Sequence, residues 1–168
     1  MTKILTETQA PEAATVADSL NIKKILVAVD LSSHSEKTAA YAVQLAAPFG
    51  ASLTLLHVCS PKAGTAETSG KDCSFDDPVI EPEKALENLA ERIRRTYRAC
   101  SAYVSAGDPA EKTVLMAEIL RADLIVTGSC HPSFLGRLLG PDQPSRIVHR
   151  APCPVLVYHN GPTDDETG

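Results

Sequence analysis

Short apolar runs alternate along this chain with stretches in which apolar positions return every three or four residues. Residues 25–29 form a continuous apolar run ending at Asp30, the pattern of a parallel strand covered on both faces. Behind it, Ser33 and Glu36 have the S-x-x-E spacing of a capping box, and Ala39, Val43 and Ala46 share a helical stripe that ends near Pro48 and Gly50. Residues 53–58 are a second apolar strand, so strand, helix and strand make a right-handed βαβ unit. Residues 60–78 are rich in Pro, Gly, Ser, Thr and Lys and read as a mobile loop. From Pro82 onward, Leu86, Leu89, Ile93 and Tyr97 recur at helical spacing, with Glu and Arg on the opposite face.

A short strand over residues 103–106 precedes a marked helix start, in which Asp108 is the N-cap, Pro109 the first helical residue and Glu111 the third. That helix carries Val114, Leu115 and Ile119. Residues 123–128 form a fourth strand running into Gly128, residues 145–150 a short helix, and residues 155–158 a last apolar strand. Strands alternating with helices in this way predict a single-domain α/β fold with a doubly wound five-stranded parallel sheet. Ligands on such sheets bind at the carboxyl ends of the strands, here near Asp30, Val58 and Gly128. The domain is expected over residues 22–158, with residues 1–21 and 159–168 as tails.

A length of 168 residues suits one domain with a sizeable core. The formal net charge of -5 and the lack of a basic run argue against nucleic acid or an anionic membrane surface as partner. No apolar stretch approaches the roughly 20 residues of a membrane span, and the N-terminus lacks signal-peptide character, so a cytoplasmic protein is expected. The five cysteines, Cys59, Cys73, Cys100, Cys130 and Cys153, lack CxxC spacing and are expected to be mostly reduced. His57, His131, His149 and His159 have no ligand spacing, and no metal is expected. Cys130 and His131 are neighbours, but without an orienting third residue they read as loop packing rather than catalysis. The charged face that carries Glu83, Glu87, Glu91, Arg92, Arg94, Arg95 and Arg98 reads as solvated. The last strand, residues 155–158, would expose an apolar sheet edge that needs covering, and pairing with a second chain supplies the cover, the alternative being that the C-terminal tail folds over it.

Three separated blocks, KKILVAVDLSSHSEKTAAYAVQLAAPFGASLTLLHV, AGDPAEKTVLMAEILRADLIVTGS and APCPVLVY, resemble the universal stress protein family. The resemblance implies a flavodoxin-like, adenine nucleotide α-hydrolase-like fold with strand order 3-2-1-4-5, homodimerisation through Val155 to Tyr158, and ATP or AMP, with Mg²⁺ where it bridges, as the cofactor of those members that bind one. It also implies candidate cofactor-binding residues: Val29, Asp30 and Val58 toward base and ribose, with Thr127, Gly128 and Gly140 along the phosphate loop. An equal alternative is that Asp30 caps a turn and that Val29 and Val58 are core.

The family's phosphate loop reads G-x2-G-x9-G-S/T, whereas this chain has Gly128-Ser129-Cys130-His131 and then Pro141-Asp142 after Gly140. His131 adds a side chain where the backbone must approach phosphate, Pro141 removes an N–H donor, and Asp142 repels phosphate unless Mg²⁺ bridges them. Without Mg²⁺ the expected combined loss reaches ~4 kcal/mol or more, enough to turn a micromolar site into a millimolar one. The expectation is therefore a non-enzymatic, dimeric stress-response module that acts through contacts with other proteins and binds nucleotide weakly or not at all, the alternative being an ATP- or AMP-binding switch.

Overall fold

The computed structural model describes residues 21–59, 81–128 and 143–159. Along the chain run β1 (Lys24–Val29), α1 (Ser35–Ala46), a 3-10 turn (Ala47–Phe49), β2 (Ser52–Cys59), α2 (Pro82–Arg94), β3 (Cys100–Ala106), α3 (Pro109–Leu120), β4 (Leu124–Gly128), α4 (Gln143–Arg150) and β5 (Val155–Tyr158). All neighbouring strands are parallel, and the sheet order is β3-β2-β1-β4-β5. The expected fold class and strand order are those observed.

β1 takes the middle because it is apolar on both faces: Ile25, Leu26 and Val27 are no more than 1% exposed. Ile25, Val27 and Val29 join Leu53 and Leu55 of β2 in one core layer, with Ala39, Ala42 and Ala46 of α1 and Leu86, Leu89 and Ile93 of α2. Leu26 and Leu56 turn to the other face, where Ala110 and Ala117 of α3 and Ile147 of α4 meet them. Small alanines let α1 and α3 lie close to the sheet. The chain thus winds outward from β1 through β2 to β3 under one helical layer, then returns to β4 and β5 under the other. That reversal opens a crevice at the carboxyl ends of β1 and β4.

Several local expectations change. The capping box at Ser33 and Glu36 does not form: α1 begins at Ser35, and its N-cap His34 makes no side-chain capping bond. Asp30 organises the turn instead, as described below. Tyr97 lies beyond α2, and its phenol donates to the carbonyl of Ala51, so it packs as a post-helical anchor rather than as part of the helical stripe. β3 begins at Cys100, three residues before the predicted start. In α3, Leu115 and Ile119 point outward, while Ala110, Thr113, Val114 and Ala117 are buried. The Asp108 cap forms as expected, its carboxylate accepting from Glu111 N–H at 3.0 Å. The loop at 60–78, and the site residue Gly140 with His131, Pro141 and Asp142, lie outside the described residues. No helix among the described residues is long and apolar enough to cross a membrane.

Candidate functional site

At the carboxyl end of β1 the chain must leave the sheet, and Asp30 sets how. Its Oδ1 accepts from Ser32 N–H at 2.9 Å and from the Ser35 hydroxyl at 2.9 Å, while Leu31 takes a left-handed φ of 63° to make the turn. The turn-capping alternative for Asp30 is therefore realised, and Val29 is a core residue at 8% exposure. Neither fact removes them from the crevice, because both line its cavity.

A cavity of about 200 Å³ lies there. Val29, Asp30, Val58, Thr127 and Gly128 all line it, so the structure brings together five of the six candidate residues. The sheet supplies the floor, α1 one wall through Ser35 and Thr38, and the first turns of α3 and α4 the other through Pro109, Thr113, Pro144 and Ile147. The walls are mostly apolar with a few hydroxyls, the makeup of a small-molecule site. Its volume is below the roughly 300–1,000 Å³ of drug-sized sites, which matches a nucleoside-sized group better than an extended ligand.

The polar groups are held in set positions. The hydroxyls of Thr38 and Thr113 donate back to the carbonyls of His34 and Pro109 at 3.2 and 2.7 Å, leaving acceptor lone pairs on each oxygen. His57 Nδ1 donates to the carbonyl of Val29 at 3.0 Å, tying the exit of β2 to that of β1. Thr127 is 6% exposed, and its hydroxyl makes only a 3.4 Å contact with the carbonyl of Gly128. A Cβ on Gly128 would lie 3.0 Å from Thr38 Oγ1, so glycine lets α1 close against β4.

The rim carries charge. Asp108 Oδ2 and Arg146 Nη1 are 2.7 Å apart, and Glu111 and Arg150 pair at 3.3 Å, so two ion pairs join α4 to the first turn of α3. The Arg146 guanidinium, helped by the Glu111 N–H, holds the Asp108 carboxyl below its ordinary range.

Ser35, Thr38 and Thr113 belong to the wall although the sequence pattern did not single them out. Their signal is positional: Ser35 follows Asp30 within one turn of the exit, and Thr113 sits one turn into a capped helix. Ser35 donates to a carboxylate and not to an imidazole, so the Asp30, His34 and Ser35 group lacks the base-to-nucleophile link of a catalytic triad. Burial pushes the thiols of Cys100 and Cys153 up, which disfavours the reactive thiolate. Among the described residues no cluster of His, Cys, Asp and Glu could hold a metal ion.

The model of the universal stress protein family matches residues 21–159. A universal stress protein of Thermus aquaticus is 32% identical over 146 residues, covering 80% of this chain and 97% of the relative. Universal stress protein A homolog 1 of Coxiella burnetii is 33% identical over 142 residues, covering 82% and 96%. Among solved structures, a universal stress protein in complex with cAMP superposes with a TM-score of 0.63 at 23% identity, covering 84% of this chain and all of the other.

Proposed function

Since the chain belongs to the universal stress protein family, we propose that it is a dimeric, non-enzymatic regulatory module of the stress response whose crevice takes the adenosine half of an adenine nucleotide and grips phosphate weakly. The observation that carries this reading is the cavity itself. Asp30, Val58, Thr127 and Gly128 converge at the strand exits on either side of the reversal in strand order. The related fold solved with cAMP supports an adenine nucleotide as the ligand class. Weak phosphate binding follows from His131, Pro141 and Asp142, which replace the donors and the hydroxyl of the family's loop. The protein acts in the cytoplasm through contacts with other proteins, its β5 edge pairing with a second copy.

Isothermal titration with adenosine, AMP and ATP, each with and without Mg²⁺, tests the reading. Adenosine and AMP should bind with similar affinity, and ATP no more tightly. The cAMP complex favours a second reading, an ATP- or AMP-binding switch. ATP binding at micromolar affinity that depends on Mg²⁺ would establish that switch and displace the weak-binding module.

A further inference from the structure

Among the described residues, neither lysine nor arginine lines the cavity, and the acidic Asp30 does. Among the described residues, a phosphate brought in by a ligand would therefore find its cation at the rim and not in the lining. Arg146 stands on α4 between Pro144 and Ile147, both lining residues, and its partner Asp108 immediately precedes Pro109, which lines the same wall from α3. The pair thus spans the rim where α3 and α4 meet. Both side chains are about a third exposed, at 28% and 33%, so the bond is open to competition. Thr127 lines the floor below, 6% exposed and with its hydroxyl making only a 3.4 Å contact among the described residues, so it can offer a hydrogen bond to a polar group there.

We propose that Arg146 is a phosphate-recognising residue that leaves Asp108 for the anionic end of a bound nucleotide, so that Asp108 acts as a built-in competitor of phosphate. The inference rests on the adenosine reading of the crevice and deepens it. A guanidinium presents several donors in a fork that fits carboxylate and phosphate alike, so one can replace the other. Breaking the pair offsets part of what the new contact contributes, which is a second reason for weak phosphate binding. Release of Arg146 also removes one of the two ion pairs that hold α4 against α3, so occupancy of the crevice loosens the helix that leads into β5.

The test is the ratio of AMP to adenosine affinity, by isothermal titration, in wild type, Arg146→Gln, Asp108→Asn and the control Arg150→Gln, with circular dichroism to verify each fold. Asn is as good an N-cap as Asp, so Asp108→Asn keeps the bond from Glu111 N–H while removing the charge that competes. The ratio should fall about tenfold in Arg146→Gln and rise about threefold to tenfold in Asp108→Asn. Arg150→Gln, which breaks an ion pair one turn farther along α4, should keep the wild-type ratio. If Arg146 only clamps the helices, Arg146→Gln and Asp108→Asn move the ratio in the same direction or leave it alone, and the inference is overturned. A wild type that binds no adenosine overturns the reading of the crevice and this inference with it, whereas adenosine binding with unchanged ratios overturns this inference alone.

Discussion

Thr127 is where a single residue would serve the proposed site at the expense of the fold. Its side chain is buried in the crevice floor, and among the described residues its hydroxyl makes only a 3.4 Å contact to the carbonyl of Gly128, a weaker bond than a buried hydroxyl ordinarily makes. Thr127→Val keeps the shape and should stabilise the free protein by up to about 1 kcal/mol, while lowering adenosine affinity several-fold. Urea denaturation and titration check the two halves, and a variant that is less stable would refute the account. Asp108 gives a pH prediction. Arg146 lowers its carboxyl pKa in the folded state, so its contribution to stability is present above the unfolded value of about 3.9 and disappears as pH falls through the lower folded value. Urea midpoints between about pH 6 and pH 2 should therefore drop less steeply at the acid end in Asp108→Asn than in wild type. Asp30 was legible as a strand-exit residue because an apolar run stops there. Its bonds to Ser32 and Ser35 were not, because the neighbouring Ser33 and Glu36 fit a capping box in the same stretch, and only the left-handed turn at Leu31 decides between the two.

Elements were most legible where burial on both faces left one reading. β1 and β2 are continuous apolar runs, and the cap, Pro109 and Glu111 fix the start of α3. β3 was read three residues short, since Cys100, Ser101 and Ala102 give weak alternation in a strand that, among the described residues, has a neighbour on one flank only. Tyr97 continued the spacing of α2 past its end, because a residue anchored by its phenol to Ala51 obeys the position of that carbonyl and not the helical period. α3 is apolar on its outer side as well, at Leu115 and Ile119, so its pattern named a helix without naming the face that packs. The packing contact that holds it is with β1 and β2, where Leu26 is fully buried in the α3 and α4 layer. Leu26→Ala should cost about 2–5 kcal/mol in thermal or urea unfolding. An exposed control such as Ile119→Ala, at 67% exposure, should cost well under half of that.

At the scale of the whole molecule, the order of strands decides both where a ligand can sit and which edge is left over. β5 pairs with β4 alone among the described strands, and all four of its residues are partly exposed. Its apolar edge is the surface through which a second copy would extend the sheet, and Val157→Lys would place charge within that pairing. Light scattering should report a dimer for wild type and a monomer for the variant; a wild-type monomer at micromolar concentration would sink the proposed assembly. The same edge carries its own reporter. The chain contains no tryptophan and four tyrosines, and two of these, Tyr41 on α1 and Tyr158 at the end of β5, stack with ring centroids 4.5 Å apart. Intrinsic emission is therefore tyrosine emission, in which a close-stacked pair is quenched and gives a coupled near-ultraviolet dichroism signal. Any event that lifts the end of β5 away from α1 becomes visible in unlabelled protein as brighter fluorescence and loss of that signal, so the strand proposed to meet a partner announces its own movement optically.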